Sequence, residues 1–309
     1  MNIIFMGTPE FSVPSLLKLI KEFKVSAVFT QPDRPKGRGK NLAMSAVKQL
    51  ATTYNIPVYQ PLKLRNNEEM IETIKDLKPD FIVVVAFGQI LPKEVLDIPK
   101  YACVNLHASL LPKYRGAAPI NWCIIDGETK SGNTTMLMGE GLDTGDILLS
   151  EEVEISNNIT AGELTEVLMD SGADLLVETI NGIVNNKITP IKQENKLSTY
   201  ASKLEKKMAN ISWNNSSSNI HNFIRGLNPS PIAYTHYENK VMKIYKSRII
   251  NEQSDKQSGS IIEVSKEGLR VSTGNGVLLI EEIQFPGKKP LKVKDYIIGN
   301  KINVGTILK

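Results

Sequence analysis

The sequence predicts an α/β fold: a doubly wound, mostly parallel sheet, followed by a small barrel of antiparallel strands. Three observations carry that prediction. Short runs rich in Val, Ile and Phe alternate with amphipathic segments through the first half of the chain. A long Leu- and Val-rich segment at helical spacing then gives way to a polar stretch without a period. Beyond it come short alternating runs separated by Gly and polar turns, the pattern of a small antiparallel barrel.

Taken in order, Ile3–Met6, Val25–Phe29, Phe81–Ala86 and Ala102–Leu106 read as buried strands. Between them, Pro14–Glu22, Met44–Tyr54 and Glu68–Leu77 place Leu, Ile and Val at helical spacing. Such alternation implies helices on both faces of the sheet. Functional groups in these sheets sit outside the carboxyl ends of the strands, here the turn after Met6 and the segment after Val104. A helix over Ala161 to Val184 closes this domain, and Gln193 to Lys207 reads as a linker. Next come a helix over Ser217 to Leu227 and the runs Ala233–Tyr237, Val241–Ile249, Gly259–Val264, Leu269–Ser272, Val277–Gln284 and Lys301–Ile307. The expected organisation is a catalytic domain over residues 1–190, a linker over 191–207 and a second domain over 208–309.

With 309 residues, 41% hydrophobic and 23% charged, the chain can bury one or two sizeable cores. No apolar run approaches a membrane span. Met1-Asn2 leads straight into Ile3-Ile4-Phe5 with no basic start, so the expected location is the cytoplasm. Cys103 and Cys123 offer neither a disulfide framework nor zinc spacing, and both read as small buried apolar residues. No metal is expected. The net charge of +4 hides an asymmetry. Residues 1–199 hold 20 Lys and Arg against 24 Asp and Glu, a balance of −4, whereas residues 200–309 hold 17 against 9, a balance of +8. A basic module of this kind fits a polyanionic partner such as RNA, or else a solubilising surface.

Of the histidines His107, His221 and His236, the first has the most telling company, in Asn105-Leu106-His107-Ala108-Ser109-Leu110-Leu111-Pro112. Alternate residues of an extended segment point the same way, so Asn105 and His107 project side by side. An amide donor beside an imidazole suits a developing oxyanion, although a structural histidine stays open on so short a pattern. Gly139-Glu140-Gly141-Leu142-Asp143-Thr144-Gly145-Asp146 is a tight acidic loop that could orient an imidazole, bind a cation or simply turn the chain. Gln31-Pro32-Asp33-Arg34-Pro35-Lys36-Gly37-Arg38-Gly39-Lys40 puts four basic residues in an exposed, mobile loop suited to phosphate contacts. Gly7-Thr8-Pro9-Glu10 lacks the G-x-G-x-x-G fingerprint, which argues against a nicotinamide-dependent oxidoreductase.

Together these pieces resemble the methionyl-tRNA formyltransferase family over nearly the whole chain. The strongest matches are His107-Ala108-Ser109-Leu110-Leu111-Pro112-Lys113-Tyr114-Arg115-Gly116-Ala117-Ala118-Pro119-Ile120 and Gly141-Leu142-Asp143-Thr144-Gly145-Asp146. Phe5-Met6-Gly7-Thr8-Pro9-Glu10-Phe11, the basic loop and Leu227-Asn228-Pro229-Ser230-Pro231 point to the tRNA-modifying branch. The resemblance implies a Rossmann-like formyltransferase domain and an OB-like tRNA-binding domain. It implies transfer of a formyl group from the co-substrate 10-formyltetrahydrofolate to the amino group of methionyl initiator tRNA. Asn105, His107 and Asp143 would be catalytic, the first two on the oxyanion and the third on His107 and the amine proton. Ser109, Leu110, Leu111 and Pro112, with the loop carrying Phe87, Gly88, Gln89, Ile90 and Leu91, would hold the folate. Arg34, Lys36, Arg38 and Lys40 would meet the tRNA, and the enzyme is expected to be a monomer.

Three departures stand out: Ile232 where the family usually has glycine, Ser212 where it often has aspartate, and Asn133 where valine is common. One alternative is a sugar or nucleotide formyltransferase, which would keep Asn105, His107 and Asp143 without needing the basic loop. Another is a non-catalytic RNA-binding protein on the same scaffold.

Overall fold

The computed structural model describes residues 1–36 and 41–309. It contains two compact units, each discontinuous in sequence: Met1–Gly116, Ser131–Val153 and Thr165–Ala201 form one, and Ala117–Lys130, Glu154–Leu164 and Ser202–Lys309 form the other.

The first unit is built on a seven-stranded sheet. Its strands are β1 (Asn2–Gly7), β2 (Lys24–Phe29), β3 (Val58–Tyr59), β4 (Phe81–Val85), β5 (Ala102–His107), β6 (Lys130–Leu137) and β7 (Ile147–Glu154). In space the order is β7-β6-β5-β4-β1-β2-β3. The pairs from β5 through β4 and β1 to β3 are parallel, and β6 runs antiparallel to β5. The chain winds outward from β1 to β3 and then restarts at β4 on the other side of β1. That reversal opens a crevice at the carboxyl ends of β1 and β4.

Strand alternation explains why both faces are covered. Ile3, Phe5, Val28, Val83, Val85, Val104 and Leu106 pack with Leu16 and Leu19 of α1 (Val13–Glu22), Val47 and Ala51 of α2 (Ala46–Thr53), and Leu176 and Ile180. The intervening residues Ile4, Met6, Ala27, Phe29, Ile82, Val84 and Cys103 pack with Ile71 and Ile74 of α3 (Glu68–Asp76). Both faces being apolar, the strands read as continuous hydrophobic runs. Burial pushes the Cys103 thiol up to about 12, in keeping with an inert core residue.

Several sequence expectations shift at their ends. Helix α2 starts at Ala46 and not Met44, because the Ser45 hydroxyl accepts the Lys48 amide at 3.0 Å and caps it. β4 ends at Val85, since Ala86 has φ +48°. The basic segment expected as an exposed, mobile loop carries a two-stranded antiparallel pairing, Arg34–Lys36 against Asn41–Ala43. Half of the segment expected to be mobile, residues 37–40 of 34–41, lies outside those described.

The second unit contains α4 (Pro119–Ile125), the start of α5 (Ala161–Val184) and α6 (Ser217–Gly226), followed by an antiparallel half-barrel. Thr160 and Glu163 exchange a capping box at the start of α5, the Glu163 carboxylate accepting the Thr160 amide at 2.8 Å and the Thr160 hydroxyl accepting the Glu163 amide at 3.2 Å. The strands are β8 (Tyr234–Tyr237), β9 (Lys240–Ile250), β10 (Ile261–Val264), β11 (Leu269–Ser272), β12 (Val277–Gln284) and β13 (Leu291–Lys292), ordered β8-β9-β12-β11-β10 with β13 on β12. Their inward residues, among them Met242, Ile244, Leu269, Val271, Leu278 and Ile280, close over Trp213, Ile220 and Ile224. The expected strand Lys301–Ile307 is a correction: it contributes one isolated bridge, Ile307 to Ser260, and helix α7 (Val293–Gly299) precedes it.

Two of the three departures have a structural account. Ile232 keeps the left-handed backbone that glycine favours, at φ +69°, with its side chain buried at 5% exposure and its amide on the Leu227 carbonyl at 2.9 Å. Asn133 is fully buried, and its amide donates to the Leu168 carbonyl at 2.8 Å and the Ser171 hydroxyl at 3.0 Å. Nothing in the structure explains Ser212.

Candidate active site

The last residues of β5 carry Asn105 and His107 on one face, as alternation requires. β5 is held on both sides, Asn105 opposite Val84 and Met136, and His107 opposite Thr134. Both side chains are buried, at 8% and 7% exposure. The Asn105 amide has no hydrogen-bond partner among the described residues.

His107 is held at one nitrogen and faces a carboxylate with the other. Nε2 lies 2.9 Å from the Tyr114 carbonyl, which can only accept, so Nε2 carries a hydrogen. Nδ1 faces Asp143 Oδ2 at 3.7 Å, close enough for charge interaction but longer than a direct hydrogen bond. The same carboxylate oxygen accepts the Gly116 amide at 2.8 Å. Asp143 has φ +51°, a conformation Asp tolerates better than most residues, and a side chain at Gly145 would run into the Leu137 carbonyl. The acidic glycine loop is thus a turn pressed onto the end of β6.

The segment after β5 is stapled by Thr134. Its hydroxyl donates to the Ser109 carbonyl at 2.7 Å and accepts the Leu111 amide at 3.2 Å. The Ser109 hydroxyl donates to the Lys113 carbonyl at 2.7 Å. Leu111 is buried, and Leu110 and Pro112 are half-buried.

The loop after β4 divides its residues. Phe87 and Leu91 point into the core below the sheet. Gln89 accepts the Leu64 amide at 2.9 Å and donates to the Pro61 carbonyl at 3.0 Å. Gly88 and Ile90 are exposed. Ile90, Leu91 and Pro92 line a cleft of about 220 Å³ with Arg65, Asn66 and Glu140. The Phe87 carbonyl accepts from Thr8 and Gln31 at 3.1 and 3.2 Å, tying together the loops after β1, β2 and β4.

At the root of the basic segment, Lys48 donates to Asp33 at 2.6 Å and Gln60 donates to it at 2.8 Å. These bonds, Lys48 first, hold the Asp33 carboxyl below the usual carboxylate range. Arg34 is exposed, with one long contact of 3.4 Å to Gln31. Lys36 lies in the first strand of that pairing, and Arg38 and Lys40 lie outside the described residues.

Asn105, His107 and Asp143 are therefore gathered at one end of the sheet. Sequence reasoning missed what gathers them. The short strand Arg115–Gly116 pairs in parallel with Tyr200–Ala201, and Thr199 accepts the Tyr114 and Arg115 amides at 2.8 and 2.9 Å. The stretch read as linker thus supplies a strand of this site. Its lack of periodicity gave no signal, because a two-residue strand has none.

The Rossmann-like sheet and the antiparallel half-barrel that follows it along the chain are the two domains of a formyl transferase. Residues 1–180 match the model of the family described as formyl transferase, and residues 203–301 match that described as formyl transferase, C-terminal domain. The chain is 64% identical over 309 residues to the methionyl-tRNA formyltransferase of Clostridium novyi (strain NT), 60% to that of Clostridium perfringens (strain 13 / Type A) and 55% to that of Clostridioides difficile (strain 630), with all of each chain covered. It belongs to the methionyl-tRNA formyltransferase family. In fold it is similar to WlaRD, a sugar 3N-formyl transferase, with a TM-score of 0.70 at 23% identity over 94% of this chain and 99% of that one. It is likewise similar to the N-formyltransferase from Helicobacter canadensis, with a TM-score of 0.69 at 24% identity over 90% and 98%.

Proposed function

We propose that the protein transfers the formyl group of 10-formyltetrahydrofolate to the α-amino group of methionyl initiator tRNA, with Asn105, His107 and Asp143 carrying the chemistry. The observation that carries this reading is the partnerless Asn105 amide beside an imidazole whose Nε2 is already committed to Tyr114. His107 therefore turns Nδ1 toward the reacting groups and toward Asp143.

The amine lone pair forms the new C–N bond while the carbonyl electron pair moves onto oxygen. Asn105 donates to that oxygen, and His107 in its charged form donates from Nδ1. Asp143 takes the proton that the amine must lose, directly or through one water, and holds His107 in place. The carbonyl then re-forms, and the bond from carbon to the folate nitrogen breaks as that nitrogen gains a proton. The products are N-formylmethionyl-tRNA and tetrahydrofolate. No residue need act as a nucleophile.

The folate is assigned to the turn Ser109–Pro112 and the loop Phe87–Leu91, where Gly88 and Ile90 are exposed. The tRNA is assigned to Arg34, Lys36, Arg38 and Lys40 and to the domain over 208–309, whose surplus of basic residues suits a phosphate backbone. Residues 1–190 are assigned to the catalytic domain and 191–207 to the connection, the connection lending Gln193 and Tyr200–Ala201 to the catalytic unit. We place the enzyme in the cytoplasm as a monomer.

The test offers 10-formyltetrahydrofolate with methionylated initiator tRNA, elongator tRNA and an amino-sugar nucleotide in parallel. Formylation of the initiator alone, abolished by His107→Ala, is expected. Transfer to the sugar and not the tRNA would overturn the assignment of the second domain. A tRNA gel shift without any transfer would overturn the chemistry.

A further inference from the structure

We infer that Gln193 is a positioning residue for formyl transfer, holding the Asp143 turn in register with His107; this rests on the catalytic assignment proposed above. Gln193 is buried, at 6% exposure, and lies in the polar stretch that has no motif of its own. Its Nε2 donates to the Asp143 carbonyl at 3.0 Å and to the Gly145 carbonyl at 2.6 Å. Its Oε1 accepts from Arg115, at 3.0 Å from Nε and 2.7 Å from Nη2. A guanidinium can only donate and the two carbonyls can only accept, so the orientation of this amide is fixed by its partners. Glutamate would set a carboxylate against two carbonyls, and leucine would offer nothing to either side.

The consequence for the site follows from where these bonds lead. Asp143 is held twice: its carboxylate by the Gly116 amide and its carbonyl by Gln193. Both holds return to residues 115–116, because Arg115 grips Gln193. The residue before them, Tyr114, accepts the His107 hydrogen. His107 and Asp143 are thereby referenced to one three-residue segment. Asp143 needs this, since its φ of +51° is a conformation the chain does not choose freely. Releasing the Gln193 end frees the turn while leaving the carboxylate and the imidazole chemically intact.

The experiment measures kcat and both KM values with 10-formyltetrahydrofolate and methionylated initiator tRNA for the wild type, Q193L, D143A and Q193L/D143A. A misplacement of ~1 Å costs about 100-fold, so Q193L is expected to lower kcat by roughly 10–100-fold with both KM values within about 3-fold. If Gln193 acts through Asp143, adding Q193L to D143A costs less than about 3-fold more. Equal losses in both backgrounds mean a scaffold role and overturn the inference, as does a Q193L enzyme of undiminished kcat. Should D143A itself turn over like the wild type, the catalytic assignment fails, a result separable from a slow D143A beside an unimpaired Q193L. Q193E keeps the size and the Arg115 contact but loses both donors, and it must show the same background-dependent loss. Failure of both variants to fold would also overturn the inference.

Discussion

Replacing Thr134 by valine removes one hydroxyl and preserves shape. The residue is fully buried on β6, opposite His107. Its hydroxyl serves two backbone groups of the turn assigned to folate, the Ser109 carbonyl and the Leu111 amide. Both lose a partner in the variant, and each orphaned buried group costs about 1–3 kcal/mol. The stability loss is therefore about 2–6 kcal/mol, and the melting temperature falls by roughly 5–15 °C. The turn loosens without touching Asn105, His107 or Asp143, so KM for 10-formyltetrahydrofolate rises while kcat changes little. Thr135→Val is the matched control. Its hydroxyl is also fully buried, bonded to Thr179 at 2.7 Å and accepting the Leu149 amide at 3.2 Å, but on the opposite face of the strand. Thermal melts and initial rates of both variants decide the matter. Comparable melting losses with a KM change in T134V alone are expected, and an equal KM change in T135V would refute the reasoning.

Asn105→Ala lowers kcat by ~10²–10³ by removing one oxyanion donor, with the melting temperature within a few degrees of wild type, since that amide has no partner to lose. Arg34→Ala weakens tRNA binding equally for all sequences and reduces the slope of log K against log salt by about 1, read by filter binding over a salt series. His221 is buried between Ser247 and the Asn157 carbonyl. Burial first, with Arg225 adding to it, lowers its pKa against the opposing effects of Asn157 and Glu281. The unfolded chain therefore takes the proton at higher pH than the folded one, so stability is full above ~6.5 and is lost as pH falls through the folded value. Denaturant melts from pH 7.5 downward are expected to lose stability more steeply for the wild type than for His221→Asn.

The parts of this molecule written in side-chain pattern were legible in the sequence. Ile3 through Met6 are apolar on both faces and announce a buried parallel strand. Ala161–Val184 has the length and spacing of a helix and is one. Asn105 and His107 fall side by side because a strand has a period of two. The parts written in backbone were not. Tyr114 holds His107 through its carbonyl and Gly116 holds Asp143 through its amide, so neither duty leaves a mark on residue type. Gln193 bonds Arg115, 78 positions away, a contact that no window along the chain contains. Helix α7 escaped because Val293–Gly299 is too short for a period to stand out.

Gly116 is the point where this backbone logic can be tested directly. Its φ is +115°, outside what side chains other than glycine's accept readily. An added Cβ would lie 2.7 Å from the Ala201 carbonyl and 2.8 Å from the Tyr200 ring. The ring can swing aside, but the carbonyl belongs to the strand that pairs with Arg115–Gly116 and cannot move without breaking that pairing. Gly116→Ala must therefore shift its own amide, and that amide is the donor to Asp143. The backbone strain alone is about 1–3 kcal/mol, which lowers the melting temperature measurably. Displacement of the amide lowers kcat by about 10-fold or more, because Asp143 then loses its reference to His107. Gly287 is the comparison: its φ is also positive, at +73°, but an added Cβ would meet nothing within 4 Å. Gly287→Ala is expected to cost stability through strain and leave kcat untouched. A G116A enzyme that melts lower yet keeps its full kcat would mean that the Gly116 amide is not what sets the carboxylate, and that Asp143 finds His107 by some other restraint.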